Sequence, residues 1–249
     1  MAKVQYATAH FTDAGGHSNE DSFLLRYYKP KSIFLIIVSD GVGGLEAGEL
    51  ASGFIKKSFD KWFDRNVSRF DDMPIDDIKN NAYNEIIKIH ENLLDISEDR
   101  GNNFGATLTM LLAKRWDYFT AQVGDSRLYM QENGKTRQIT TDQTVAEYER
   151  VTGKKISSIS EDRKEHVLMQ CMGQRKIIPD FSTGVLPMEY AFLACSDGLS
   201  NTISLEEFDA ALNDRSITGS SMLRNLAEMA RGRGERDNIT SVFVRREKI

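Results

Sequence analysis

The sequence predicts an α+β protein built on antiparallel sheets, and three observations carry that prediction. Short apolar runs rich in aromatic and β-branched residues, cut off by Gly, Asn or Asp, read as buried strands. Two longer stretches carry apolar residues at helical spacing. The elements come in groups (strands, helices, strands, helices, a last strand), whereas a doubly wound parallel sheet needs strict alternation.

Taken in order, 5–11, 22–28 and 33–38 read as strands, with GGHSNED as the tight connection between the first two. A helix follows in which Leu50, Phe54, Ile55, Phe59, Trp62 and Phe63 share a face. A second carries Ile75, Ile78, Ala82, Ile86, Ile89 and Leu93 in the same way. Both should lie across a sheet, with the aromatic stripe as core rather than docking face. Strand patterns resume in TLTMLLA, DYFTAQV and RLYMQ, then fade into the polar stretch 152–165, read as a mobile surface loop or short helices. After the apolar run AFLAC, SLEEFDAAL opens with Ser204 and Glu207 at capping-box spacing. A further helix is predicted near 222–231, and DNITSVFV supplies the last strand.

At 249 residues and 40% hydrophobic the chain can bury a sizeable core. No linker or repeat divides it, and its distinctive acids are scattered from Asp40 to Asp237, so 1–249 reads as one domain. A net charge of −5 without a Lys/Arg block leaves little footprint for nucleic acid or an anionic membrane. The start lacks a signal peptide's apolar segment and the run 33–38 is too short to span a bilayer, so a soluble cytoplasmic protein is expected. Cys171 and Cys195 lack metal-ligand spacing and suit a reducing compartment. Both read as structural, with Met169 and Met172 packing around the first.

The string Ser-Asp-Gly occurs twice, each time closing an apolar run: FLIIVSDG ends on Asp40 and AFLACSDG on Asp197. Asp125 sits at the turn in FTAQVGDSRLYM, and Asp237 directly precedes the last run. Alone, an Asp-Gly is a turn signal; shared placement at strand ends makes these acids a set. Acids gathered in a fold need cations, from Lys and Arg or from metal, and here the flanks are mostly Gly, Ser and Asn. Hard oxygen donors without His or Cys select Mg or Mn.

Asn19-Glu20-Asp21, SDGVGGLEAGELAS at 39–52, GATLTMLL, VGDSRLY, CSDGLSN and DNITSVFV, in this order over essentially the whole chain, resemble the protein phosphatase 2C family of metal-dependent Ser/Thr protein phosphatases, in its bacterial form. The resemblance implies two stacked antiparallel sheets, a β-sandwich flanked on both sides by pairs of α-helices. It implies two Mn or Mg ions, with Asp40 bridging them, the Gly41 carbonyl beside it, and Asp197 and Asp237 completing the cluster. Asp125 matches the ligand of a third, looser ion. Glu20 and Asp21 match acids that bind directly or through water, and Asn238 a residue that orients Asp237. The expected reaction is hydrolysis of phosphoserine and phosphothreonine in proteins by a metal-bridging hydroxide, with no protein nucleophile. Implied partners are phosphorylated proteins and a cognate Ser/Thr kinase that the enzyme opposes, without nucleic acid or membrane, and a monomer is expected.

Family members usually carry an Arg shortly before the Asn-Glu-Asp block, where its planar fork grips phosphate. Here DAGGHSNED has none. His17 stands closest, as a proton donor or phosphate contact, with Arg26 and Arg127 as the other side chains that could reach in. Val42 replaces the His that follows Asp-Gly in many eukaryotic relatives. The missing Arg motivates an alternative, a catalytically weak relative that binds phosphoproteins or regulates. A third reading, a two-metal hydrolase of nucleotides or phosphodiesters, has the acidic balance against it.

Overall fold

A computed structural model of the chain describes residues 4–16, 18–100 and 104–248. In chain order the strands are β1 (Val4–Asp13), β2 (Ser22–Tyr28), β3 (Ile33–Ser39), β4 (Gly41–Val42), β5 (Gly105–Ala106), β6 (Leu108–Lys114), β7 (Asp117–Val123), β8 (Arg127–Glu132), β9 (Lys135–Gln138), β10 (Asp180–Val185), β11 (Tyr190–Cys195) and β12 (Ile239–Lys248). The helices are α1 (Leu45–Phe70), α2 (Ile75–Arg100), α3 (Val145–Thr152), α4 (Asp197–Ser200), α5 (Leu205–Asn213) and α6 (Gly219–Gly232).

Two five-stranded antiparallel sheets, ordered β1-β12-β11-β8-β9 and β10-β7-β6-β3-β2, form the centre, and β4 pairs with β5 as a small ribbon. Alternation along each central strand explains why the runs read as continuously apolar. On β3, Phe34, Ile36 and Val38 pack with Phe192, Ala194 and Val242 of the other sheet, while Ile33, Leu35 and Ile37 pack with Phe59, Trp62 and Ile86 of α1 and α2. On β11, Leu193 and Cys195 turn the other way, toward Phe208, Leu223 and Leu226 of α5 and α6. Each central sheet is therefore buried on both faces, and the layers run helices, sheet, sheet, helices, as expected. The aromatic stripe of α1 is core: Phe59, Trp62 and Phe63 are at most 2% exposed.

The two-residue strands β4 and β5, the strands β9 and β10, and the short helices α3 and α4 escape the sequence reading. The strands β9 and β10 lie at sheet edges, where backbone pairing to β8 and β7 holds sequences (KTRQ, DFSTGV) that bury little side-chain surface. Helix α3 is eight residues long, too short for periodicity to register, and is started by the Thr144 hydroxyl, which accepts from the Glu147 N–H. The stretch 152–165 carries a single 3-10 turn at Glu161–Arg163. Buried Glu149 pins it by binding Lys155, Lys164 and the Ile156 N–H. Ser204 and Glu207 do form a capping box at the start of α5.

Candidate metal centre

Strand register decides where the acids meet. In one sheet Ser22 pairs with Ser39, Val38 with Thr109, and Leu108 with Val123. In the other, Cys195 pairs with both Ser241 and Arg127. These pairs all lie at one end of the sandwich. The residues just beyond them are Glu20 and Asp21, Asp40, Asp125, Asp197 and Asp237. Glu20, Asp40, Gly41, Asp125, Asp197, Asp237 and Asn238 line a cleft of about 920 Å³ there, and Asp21 is buried against its floor.

The two Ser-Asp-Gly turns have a common steric reason for their glycine. A Cβ on Gly41 would stand 2.4 Å from the Gly48 backbone and 2.7 Å from the Glu20 carbonyl oxygen; one on Gly198 would stand 2.2 Å from the Asn238 carbonyl oxygen. Both turns thus bring an acid and a neighbouring loop closer than any side chain permits.

Hydrogen bonds fix the backbone behind the acids. The Asp40 N–H donates to Thr107 Oγ1 at 2.9 Å and the Thr107 N–H returns to the Asp40 carbonyl at 2.8 Å. Ser196 Oγ donates to Asp21 Oδ2 at 2.8 Å and accepts from the Thr240 N–H at 2.9 Å, tying two neighbouring strands of one sheet to the carboxylate that precedes β2 of the other. Asn238 acts differently from the expectation. Its backbone N–H, not its amide group, donates to Asp237 Oδ1 at 2.7 Å, while the side chain accepts from the Glu20 N–H and donates to the Ala14 and Ser18 carbonyls. It therefore ties the loop carrying Glu20 to the start of β12.

Mutual repulsion and burial dominate the electrostatics. Burial, then the charges of Asp21, Asp197, Asp237 and Asp125, push Asp40 well above the usual carboxylate range. Asp197 rises through burial and Asp237, while hydrogen-bonding contact with Asp40 acts in the opposite sense. Asp21 and Asp125 are each pushed up to about 7, by burial first. Glu20 is raised by burial, Asp237 and Glu49. Among the described residues none of these acids forms an ion pair with Lys or Arg, although Asp13, Asp142 and Glu149 do so.

The donor set fits a hard divalent ion. Asp21 Oδ1 and Asp197 Oδ1 are buried without any hydrogen-bond partner, which is costly unless a cation occupies the space before them. Among the described residues no group of three or more His, Cys, Asp or Glu side chains stands ready as a metal cage. Carboxylates taken singly or in pairs, with carbonyl oxygen and water, are what Mg and Mn accept.

A sequence profile of the family Protein phosphatase 2C matches residues 10–237. The chain belongs to that family. Serine/threonine phosphatase stp of Listeria welshimeri is 28% identical to it, over 94% of each sequence. The serine/threonine phosphatase of S. agalactiae superposes with a TM-score of 0.83 at 23% identity, covering 97% of this chain and 99% of that one. The catalytic domain of serine threonine protein phosphatase PstP, a structure in complex with 2 manganese ions, gives a TM-score of 0.78 at 25% identity over 98% and 99%.

As a protein phosphatase 2C, the chain gathers every acid that its sequence singles out. His17 lies outside the described residues. Arg26 does not reach the cleft, because Asp60 and Asp64 of α1 hold it over Phe63. Arg127 is held by Asp142 at 2.7 Å and by the Ser200 carbonyl at 2.9 Å. Met172 is buried, but Met169 is 41% exposed on the cleft wall rather than packed in the core. Cys171 lines the cleft as a buried thiol pushed up to about 11 by burial and Asp125, so it stays protonated and inert. Sequence reasoning missed Ser196, His166 and Arg175; the last two enter the cleft from a stretch without any periodic signal. No described helix is long and apolar enough to cross a membrane.

Proposed function

We propose that this chain hydrolyses phosphoserine and phosphothreonine in proteins with two Mn or Mg ions, as one catalytic unit spanning 1–249. One observation carries the reading: in a member of this family, Asp40 and Asp197 meet at the ends of strands from opposite sheets, half-buried and without a cation of the protein's own. Asp40, Asp197, Asp237 and the Gly41 carbonyl would hold the ions, with Glu20 and Asp21 supporting them and Asp125 serving a third. Bound there, such ions supply Lewis-acid stabilisation of the phosphoryl group and acidify a water.

The protein's own contribution is geometric. Ser196 and Thr240 hold Asp21, Thr107 holds the Asp40 backbone, and Asn238 holds the Glu20 loop, so the carboxylates need not reorganise to accept charge. The wall from Ile156 to Cys171 narrows the approach to the acids. With Cys171 protonated, no thiol competes as nucleophile. A Ser/Thr kinase is the matching partner, and the free, buried Cys171 and Cys195 suit the cytoplasm.

The test is phosphate release from a phosphothreonine peptide by metal-stripped protein, with and without added Mn. Release that requires Mn is the expected result. Wild-type protein that binds Mn and phosphopeptide but releases nothing would favour a phosphoprotein-binding module instead.

A further inference from the structure

With divalent ions on its acids the cleft floor no longer repels a phosphate dianion, and a guanidinium at the opening would add attraction and directed hydrogen bonds to the phosphoryl oxygens that the ions do not hold. Among the described residues lining the cleft, Arg175 is the one Lys or Arg. It is exposed, and its guanidinium has no ion pair or hydrogen bond within the described structure. Arg26 and Arg127, by contrast, are held by carboxylates, Arg127 by the Ser200 carbonyl as well.

The backbone at Arg175 is not that of an ordinary surface arginine. Its φ of 51° is left-handed, a conformation that costs free energy in a side chain of this size and that survives where surroundings enforce it. The enforcing group is buried His90 of α2. His90 Nδ1 accepts from the Gly173 N–H at 3.1 Å, and the imidazole also hydrogen-bonds the Arg175 backbone. Burial lowers the pKa of His90, which keeps Nδ1 free to accept. The same turn is fastened to the acid cluster through backbone. Met172 and Ala106 exchange hydrogen bonds of 2.8 and 3.0 Å, and Ala106 pairs with Gly41, next to Asp40. Two ladder steps thus join β4, which begins directly after Asp40, to the turn that carries Arg175.

We propose that Arg175 supplies the guanidinium that binds the substrate phosphate, in a chain whose Asn19-Glu20-Asp21 block has no arginine before it. The assignment rests on the phosphatase reading and names the side chain that gives its substrate a grip. The planar fork can donate two parallel hydrogen bonds to phosphoryl oxygens, which lysine cannot reproduce.

The test compares wild type, Arg175→Ala and Arg175→Lys at saturating Mn. It reads KM and kcat on a phosphothreonine peptide and the affinity of inorganic phosphate by calorimetry on the Mn-loaded protein. In Arg175→Ala, KM and the phosphate Kd should both rise about 10- to 100-fold, with kcat changed much less, while Arg175→Lys recovers part of the loss. Methylguanidinium added to Arg175→Ala should restore phosphate binding. Mn affinity and Tm should stay at wild-type values, which separates lost contact from lost structure. Unchanged phosphate affinity in Arg175→Ala would overturn the assignment. An inactive wild type would refute the phosphatase reading, yet phosphate affinity would still decide the role of Arg175.

Discussion

Glu149 and Asp21 are both buried carboxylates, and the chain treats them in opposite ways. The Glu149 side chain, 5% exposed, accepts from Lys164 at 2.8 Å, Lys155 at 2.9 Å and the Ile156 N–H at 2.6 Å, and these partners drive its pKa down to about 2. Asp21, 8% exposed, has hydroxyls but no cation beside it, and sits at about 7. Where an acid organises the loop 152–165, the sequence brings lysines to it. Where acids converge on the cleft, the sequence surrounds them with Gly, Ser and Asn and leaves oxygens unpartnered. The difference teaches that the charge deficit of the cleft is built in, as a standing demand for a cation from solution.

The largest expected effect tests that demand at its centre. Asp40→Asn should cut Mn-dependent phosphate release by on the order of 10³-fold, read as kcat on a phosphopeptide. Retained turnover would mean that Asp40 is an ordinary turn residue. Ser196→Ala removes only the hydroxyl that orients Asp21; Mn affinity measured by calorimetry should weaken about 10-fold, the usual cost of losing a partner behind a ligand.

Stability should then move with opposite signs in the two regions. In metal-free protein near pH 7.5, Asp40→Asn relieves repulsion among the cleft acids and should raise Tm by a few degrees, at about 2 to 4 °C per kcal/mol for a chain of this size. Glu149→Gln leaves Lys164, 3% exposed, without its nearest buried partner and should lower Tm. Two shifts of the same sign, seen by differential scanning calorimetry, would erase the distinction.

The smallest effect is a slope. Asp21 and Asp125 bind protons more tightly folded (about 7) than at their ordinary value of 3.8, so the folded state holds more protons between those limits. Metal-free protein should therefore lose stability as pH rises from 4 toward 7 and level off above. Glu149 acts at the other end: its stabilisation is full above its ordinary 4.5 and fades as pH falls toward 2. Melting curves with a chelator across this range read both, and saturating Mn should flatten the first.

Much of this was legible because it is local. Central strands buried on both faces leave unbroken apolar runs, α1 and α2 are long enough to show their period, and the Ser-Asp-Gly turns announce two acids at strand ends. What stayed hidden depends on contacts that no local pattern encodes. Ser196 reaches Asp21 across 175 residues of sequence. Edge strands β9 and β10 exist through backbone pairing, and α3 ends before a period can register. Arg175 gains its place only because Met172 pairs with Ala106 and Ala106 with Gly41. The side chain of Asn238 binds the Glu20 N–H and the Ala14 and Ser18 carbonyls, partners more than 200 residues away in sequence.

The most direct test of the cleft as a cation site is the Tm of metal-stripped protein at about pH 7.5, titrated with Mn beside Asp197→Asn. A ligand that binds only the folded state raises Tm in proportion to the logarithm of its concentration once above its Kd. Wild type should climb steadily with Mn while Asp197→Asn barely moves. A wild-type Tm that ignores Mn would contradict the account, leaving the unpaired acids of the cleft without a counter-charge.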